Sequence, residues 1–193
     1  MSTLSWVDAL TQTLSHLRKD ADPDRPPRVA VVGLGHELRG DDAAGIVVTQ
    51  RLIRDERPPS AIRPSALIVS AGSAPENCTG VLRRFDPDLV MLVDAAQMGA
   101  PPGAVRWLAW QETSGLSAST HTMPPYVLAK YLTAELKCQM AVLGIQPADT
   151  TLGAPLSAPV ERAVNTVIRE LTFVLGIAAD GRKESLHESP VTP

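Results

Sequence analysis

A chain of 193 residues, 44% hydrophobic and 20% charged, suffices for one domain with its own core and is too evenly mixed for a disordered segment or a membrane bundle. Its net charge of −3 argues against a nucleic-acid binder working through a basic face, and no run approaches the roughly 18 apolar residues of a membrane span. The two cysteines, Cys78 and Cys138, are too few for a disulfide scaffold and in no metal-type spacing, and the N-terminus lacks the basic and apolar regions of a signal peptide, so a reducing cytoplasm is expected.

Leu4, Val7, Leu10, Leu14 and Leu17 recur at helical spacing, which predicts a helix over 4–19. The segment 20–27 is rich in proline and aspartate and reads as a linker, leaving that helix as an appendage. The run 28–34, RVAVVGL, is continuously apolar, the pattern of a parallel strand covered on both faces. A helix is expected over 43–53, a strand over 66–71, a helix over 76–85 and a strand over 89–94. A strand over 104–109, a helix over 126–137, a strand over 140–145 and a last helix from Val160 to Val174 follow. In the last helix Val160, Ala163, Val164, Val167, Ile168, Leu171 and Val174 keep one face apolar. This alternation predicts an α/β domain over 28–177, its sheet largely parallel with helices on both faces. It is preceded by the helix and linker of 1–27 and followed by a polar, disordered tail over 178–193.

Sites in open α/β sheets lie at the carboxyl ends of strands, so the segments after each strand are where chemistry is sought. The glycines after the first strand, Gly33 and Gly35, are followed by Leu38 where a dinucleotide fingerprint needs a third glycine. No P-loop lysine follows, which disfavours a nucleotide-binding domain. Asp41 and Asp42 suit a helix N-terminus as caps. Asp94 ends the buried run LVMLVD, where a carboxylate must be paired, hydrogen-bonded or bound to metal. His121 lies in a polar loop before Pro124 and Pro125. Two carboxylates and an imidazole from three strand ends can converge at one rim, a set that suits a divalent transition metal with open positions. No Gly-x-Ser-x-Gly, zincin or aspartic-protease motif is present, and Cys78 falls in a helix. The nucleophile and the general base therefore stay unassigned, and His36 reads as a solvated loop residue or an additional donor.

Five blocks carry a resemblance: GLGHELRGDDAAG at 33–45, GSAPEN at 72–77, LVDAAQMG at 92–99, THTMP at 120–124 and LGIQP at 143–147. In this order they resemble the hydrogenase maturation endopeptidases, nearest the branch that serves hydrogenase-3-type enzymes, over about residues 28–175. The resemblance implies a twisted, mostly parallel five-stranded sheet between helices. It implies an endopeptidase that removes the C-terminal extension of the nickel–iron hydrogenase large-subunit precursor after nickel insertion, the nickel being carried by the precursor. It also places the family's metal-contacting and catalytic residues on Asp42, Asp94 and His121. The chain departs from the common family pattern at His36, Ala43 and Ser70, and Ser70 bears on substrate preference. The expected protein is a cytoplasmic monomer whose partner is the large-subunit precursor, with neither nucleic acid nor membrane as partner. The alternative is a non-catalytic metal-binding chaperone of the same subunit.

Overall fold

The apolar runs of the sequence become strands whose successive side chains enter two different cores. The computed structural model describes residues 4–20, 25–54, 60–62, 65–114 and 125–177. Six strands form one sheet: β1 (Val29–Leu34), β2 (Ser60–Ile62), β3 (Ala66–Gly72), β4 (Leu89–Ala95), β5 (Val105–Ala109) and β6 (Gln139–Ile145), in the order β2-β3-β1-β4-β6-β5. The central four are mutually parallel, while β2 and β5 close the two edges antiparallel. The five strands expected from sequence are all present. The sixth, β2, is only three residues long and carries too little pattern to read.

Alternation along the strands explains why their apolar runs are unbroken. Val29, Val31, Ile68, Met91, Val93 and Leu143 face α1 (Trp6–Asp20), α2 (Ala44–Arg54) and α5 (Ala158–Val174). Ala30, Val32, Leu67, Val90, Leu92 and Val142 face α3 (Thr79–Phe85) and α4 (Pro125–Leu136). A strand buried on both faces has no solvent side on which polar residues could alternate. Helix α1 is part of this packing, because Trp6 and Leu10 are buried in the first core. The expected helices over 43–53 and 76–85 each begin with a 3-10 turn, Gly40–Ala43 and Pro75–Cys78, before α2 and α3. A further 3-10 turn spans Trp110–Thr113. The tail over 178–193 and the loop with His121 lie outside the described residues.

The strand order positions the site. From β1 the chain moves to β3 on one side, then crosses back to β4 on the other. A crevice opens at the carboxyl ends of strands at such a reversal. The loop after β1 carries Asp42, and β4 carries Asp94 near its end.

Candidate active site

Helix α2 reaches this crevice because its start lies against the strands. A Cβ at Gly45 would collide with the carbonyls of Val93 and Leu34, so only glycine lets the helix come so close. Gly35, with φ of 124°, turns the chain out of β1 in a conformation costly for any residue with a side chain. Its own Cβ would run into the Asp42 carbonyl. The 3-10 turn holding Asp41 and Asp42 is thereby pressed against β4.

The two neighbouring aspartates do different things. Asp41 is fully buried, and its carboxylate accepts four hydrogen bonds: from the backbone N–H of Ala148 (2.8 Å), Asp149 (3.0 Å) and Ser157 (2.7 Å), and from the Ser157 hydroxyl (2.8 Å). Its own N–H donates to the Asp149 carbonyl at 2.8 Å. Asp41 is therefore no cap. Arg39 stands at the N-cap of the turn without a side-chain bond, and Asp41 fastens the loop after β6 to the loop after β1. Ser157, at the N-cap of α5, makes no capping bond because its hydroxyl is given to Asp41.

Asp42 is 1% exposed, and both of its carboxylate oxygens are buried without a hydrogen-bond partner among the described residues. Burial pushes its carboxyl above the usual range, opposed by the nearby His36 backbone N–H and by the charges of Arg39 and His36. Asp94 is also buried. Its carboxyl is pushed up to about 7, first by burial and then by the charge of Asp42, with the Ala95 backbone N–H pulling the other way. Two carboxylates that repel each other in a dry crevice must hold a proton or meet a cation. The structure thus brings two of the three expected residues together; the third, His121, lies outside the described residues. Among the described residues no group of three potential ligands stands ready to hold a metal. His36 is half-buried at the same rim, its Nδ1 accepting the Leu38 N–H at 3.2 Å. The latch formed by Asp41 had no signal in sequence, since its partners lie more than a hundred positions away.

Cys78 gives no nucleophile. It is buried, its thiol donates to the Pro75 carbonyl at 2.8 Å, and burial raises its pKa to about 11. Beside the aspartates, between the ends of β1 and β3, lies a cleft of about 360 Å³ lined by Gly35–Leu38, Ile46 and Ala71–Ala74. A larger cleft, about 660 Å³, lies between the start of α1 and β5, away from both aspartates.

A family model described as hydrogenase maturation protease matches residues 48–173. The chain is 32% identical over 148 residues to a Methanocaldococcus jannaschii protein whose name assigns it provisionally to the hydrogenase maturation proteases, covering 73% of this chain and 86% of that one. It is 30% identical over 139 residues to the hydrogenase 3 maturation protease of Escherichia coli, covering 72% and 85%. The crystal structure of the nickel–iron hydrogenase maturation protease HycI from Thermococcus kodakarensis superposes with a TM-score of 0.68 at 29% identity, covering 78% of this chain and 93% of that one.

Proposed function

Because the chain belongs to the hydrogenase maturation proteases, we propose that it is an endopeptidase that trims the C-terminal extension from a nickel-loaded hydrogenase large-subunit precursor. The observation that carries this reading is the Asp42 carboxylate, buried with both oxygens unpartnered among the described residues and beside a second buried carboxylate. A buried, unpartnered carboxylate is costly unless something that enters the crevice completes it. Carboxylate oxygens suit a divalent metal, and Asp42 and Asp94, with His121, make an incomplete oxygen and nitrogen set.

In this reading the nickel belongs to the substrate, and Asp42, Asp94 and His121 are the ligands offered to it. An incomplete set binds free metal weakly and gains most when the precursor supplies the other ligands. The metal then reports maturation state, because a precursor without nickel gives the aspartates nothing to hold. Asp42 and Asp94 orient the segment beside the metal, which can polarise a carbonyl or a water there. The reading extends to a peptidase domain over 28–177, with the helix of 1–27 packed onto its core and 178–193 as an addition, and to a monomer acting in the cytoplasm. Among the described residues no helix is long and apolar enough to cross a membrane. The chaperone alternative has no observation of its own, and the family is one of proteases.

The test is a paired digestion. Purified protein should shorten the nickel-loaded precursor, read as a mobility change of the large subunit on a gel, and leave the nickel-free precursor intact. Equal cleavage of both removes nickel from the mechanism, and cleavage of neither favours the chaperone.

A further inference from the structure

Resting on that reading, we infer that Leu38 and Leu152 form an apolar shoulder that grips the precursor's chain beside its scissile bond and sets the enzyme's preference for its substrate. Both are large hydrophobic residues left 64% and 65% exposed. They come from different loops, Leu38 from the loop after β1 and Leu152 from the loop after β6. The Gly153 N–H donates to the Leu38 carbonyl at 2.7 Å, which sets the two positions side by side. A single exposed leucine needs no explanation, but two brought together across loops do.

These loops are braced. The Asp41 carboxylate binds three backbone N–H groups and a hydroxyl of the 148–157 segment, and the Asp41 N–H binds the Asp149 carbonyl. A Cβ at Gly40 would strike that same carbonyl, so the loops also touch directly. The leucines are therefore presented by a fixed frame, and a partner that covers them has little backbone freedom to freeze. Among the described residues the other exposed large hydrophobics lie elsewhere: Leu4 before α1, Val127 and Tyr131 on α4, and Phe173 at the far end of α5.

The position of the shoulder identifies its occupant. Leu38 is four residues before Asp42 in the same loop and also lines the cleft of about 360 Å³ with Ile46 and Ala71–Ala74. Leu38 thus extends the rim of that cleft, which His36, Glu37 and Ser73 also line, toward the turn bearing the buried carboxylate. A polypeptide laid with its cleavage point at Asp42 and Asp94 passes over it, and an apolar side chain of that polypeptide is what two leucines accept. This contact is made equally in the bound and reacting states, so it lowers KM and leaves kcat alone.

The experiment compares four proteins on the nickel-loaded precursor: the wild type, the double variant Leu38→Ser with Leu152→Ser, the conservative double variant Leu38→Met with Leu152→Met, and Phe173→Ser. Phe173 is 84% exposed and controls for loss of apolar surface at the opposite end of the molecule. The double variant should keep its melting temperature and its kcat while KM rises about tenfold to a hundredfold, the worth of re-exposing two partly covered leucines. Leu38→Met with Leu152→Met should restore the wild-type KM, and Phe173→Ser should leave it unchanged. Precursor affinity, read in parallel by interferometry, should fall with the rise in KM. A double variant with wild-type KM and affinity overturns the inference. So does a wild-type dimer that the double variant dissolves without a change in affinity, since a second copy then covers the leucines. Failure of the wild type to cleave ends the protease reading instead, and affinity still decides the role of the shoulder.

Discussion

Asp94 shows how one residue can be unfavourable for the fold and necessary for the site. Its carboxyl is raised to about 7 by burial and by Asp42, against an unfolded value near 4. The folded state therefore binds more protons than the unfolded state between about pH 4 and pH 7, and stability falls as pH rises through that window. The burden is greatest above pH 7, on the order of 4 kcal/mol for a shift of this size. Asp94→Asn removes the charge and keeps the shape. The variant should melt several degrees above the metal-free wild type at about pH 8, the gap narrowing toward pH 5, while precursor cleavage is lost. Calorimetry across pH together with a cleavage assay checks both halves; a variant that is less stable at pH 8 would show that the carboxylate is compensated within the fold. The sequence already singled out Asp94, because a carboxylate closing the buried run LVMLVD must be paired, hydrogen-bonded or bound to metal. Spacing alone did not separate Asp41 from Asp42, both of which suit a cap; only the resemblance set the site residue at Asp42. That difference arises only when the 3-10 turn points one carboxylate at the loop after β6 and leaves the other facing β4.

Elements were legible where hydrophobic runs or periodicity were long, and less so where tertiary contacts decide. Strands β1, β3, β4 and β6 and helix α5 stand within two residues of their expected bounds, since burial on both faces or along one helical stripe writes itself into composition. Helix α2 starts one residue from its expected bound, but the 3-10 turns before α2 and α3 were not legible, because 3-10 and α turns share one pattern. Nor was β2, whose three residues acquire meaning only by pairing with β3. The least legible feature was the pairing of the loops after β1 and β6, which joins residues about 110 positions apart through Asp41. That pairing makes its own prediction. Asp41→Ala strips the two loops of four charge-assisted bonds, a loss on the order of 2–4 kcal/mol because water near Ala148 and Asp149 replaces part of them. Chemical denaturation should show this loss, and hydrogen exchange should quicken at Ala148, Asp149 and Ser157 while β4 stays protected. A variant of wild-type stability with unchanged exchange would mean that the loops are held together without Asp41.

At the centre of the molecule four parallel strands reverse their order between β1 and β4, and the reversal is what brings Asp42 and Asp94 to one crevice. The helices complete it: α2 is drawn in through Gly45, and α5 begins at Ser157, whose backbone and hydroxyl both bind Asp41. Four parallel strands, two packed faces and two braced loops thus present a pair of buried carboxylates to whatever enters the crevice. In the proposed reading these carboxylates meet the precursor's nickel. X-ray absorption at the nickel edge tests it most directly, on the nickel-loaded precursor alone and on its complex with this protein frozen before cleavage. Complex formation should add oxygen ligands at about 2.0–2.2 Å from the nickel, and neither Asp42→Asn nor Asp94→Asn protein should reproduce the full change. A nickel spectrum that does not alter when wild-type protein binds would contradict the account.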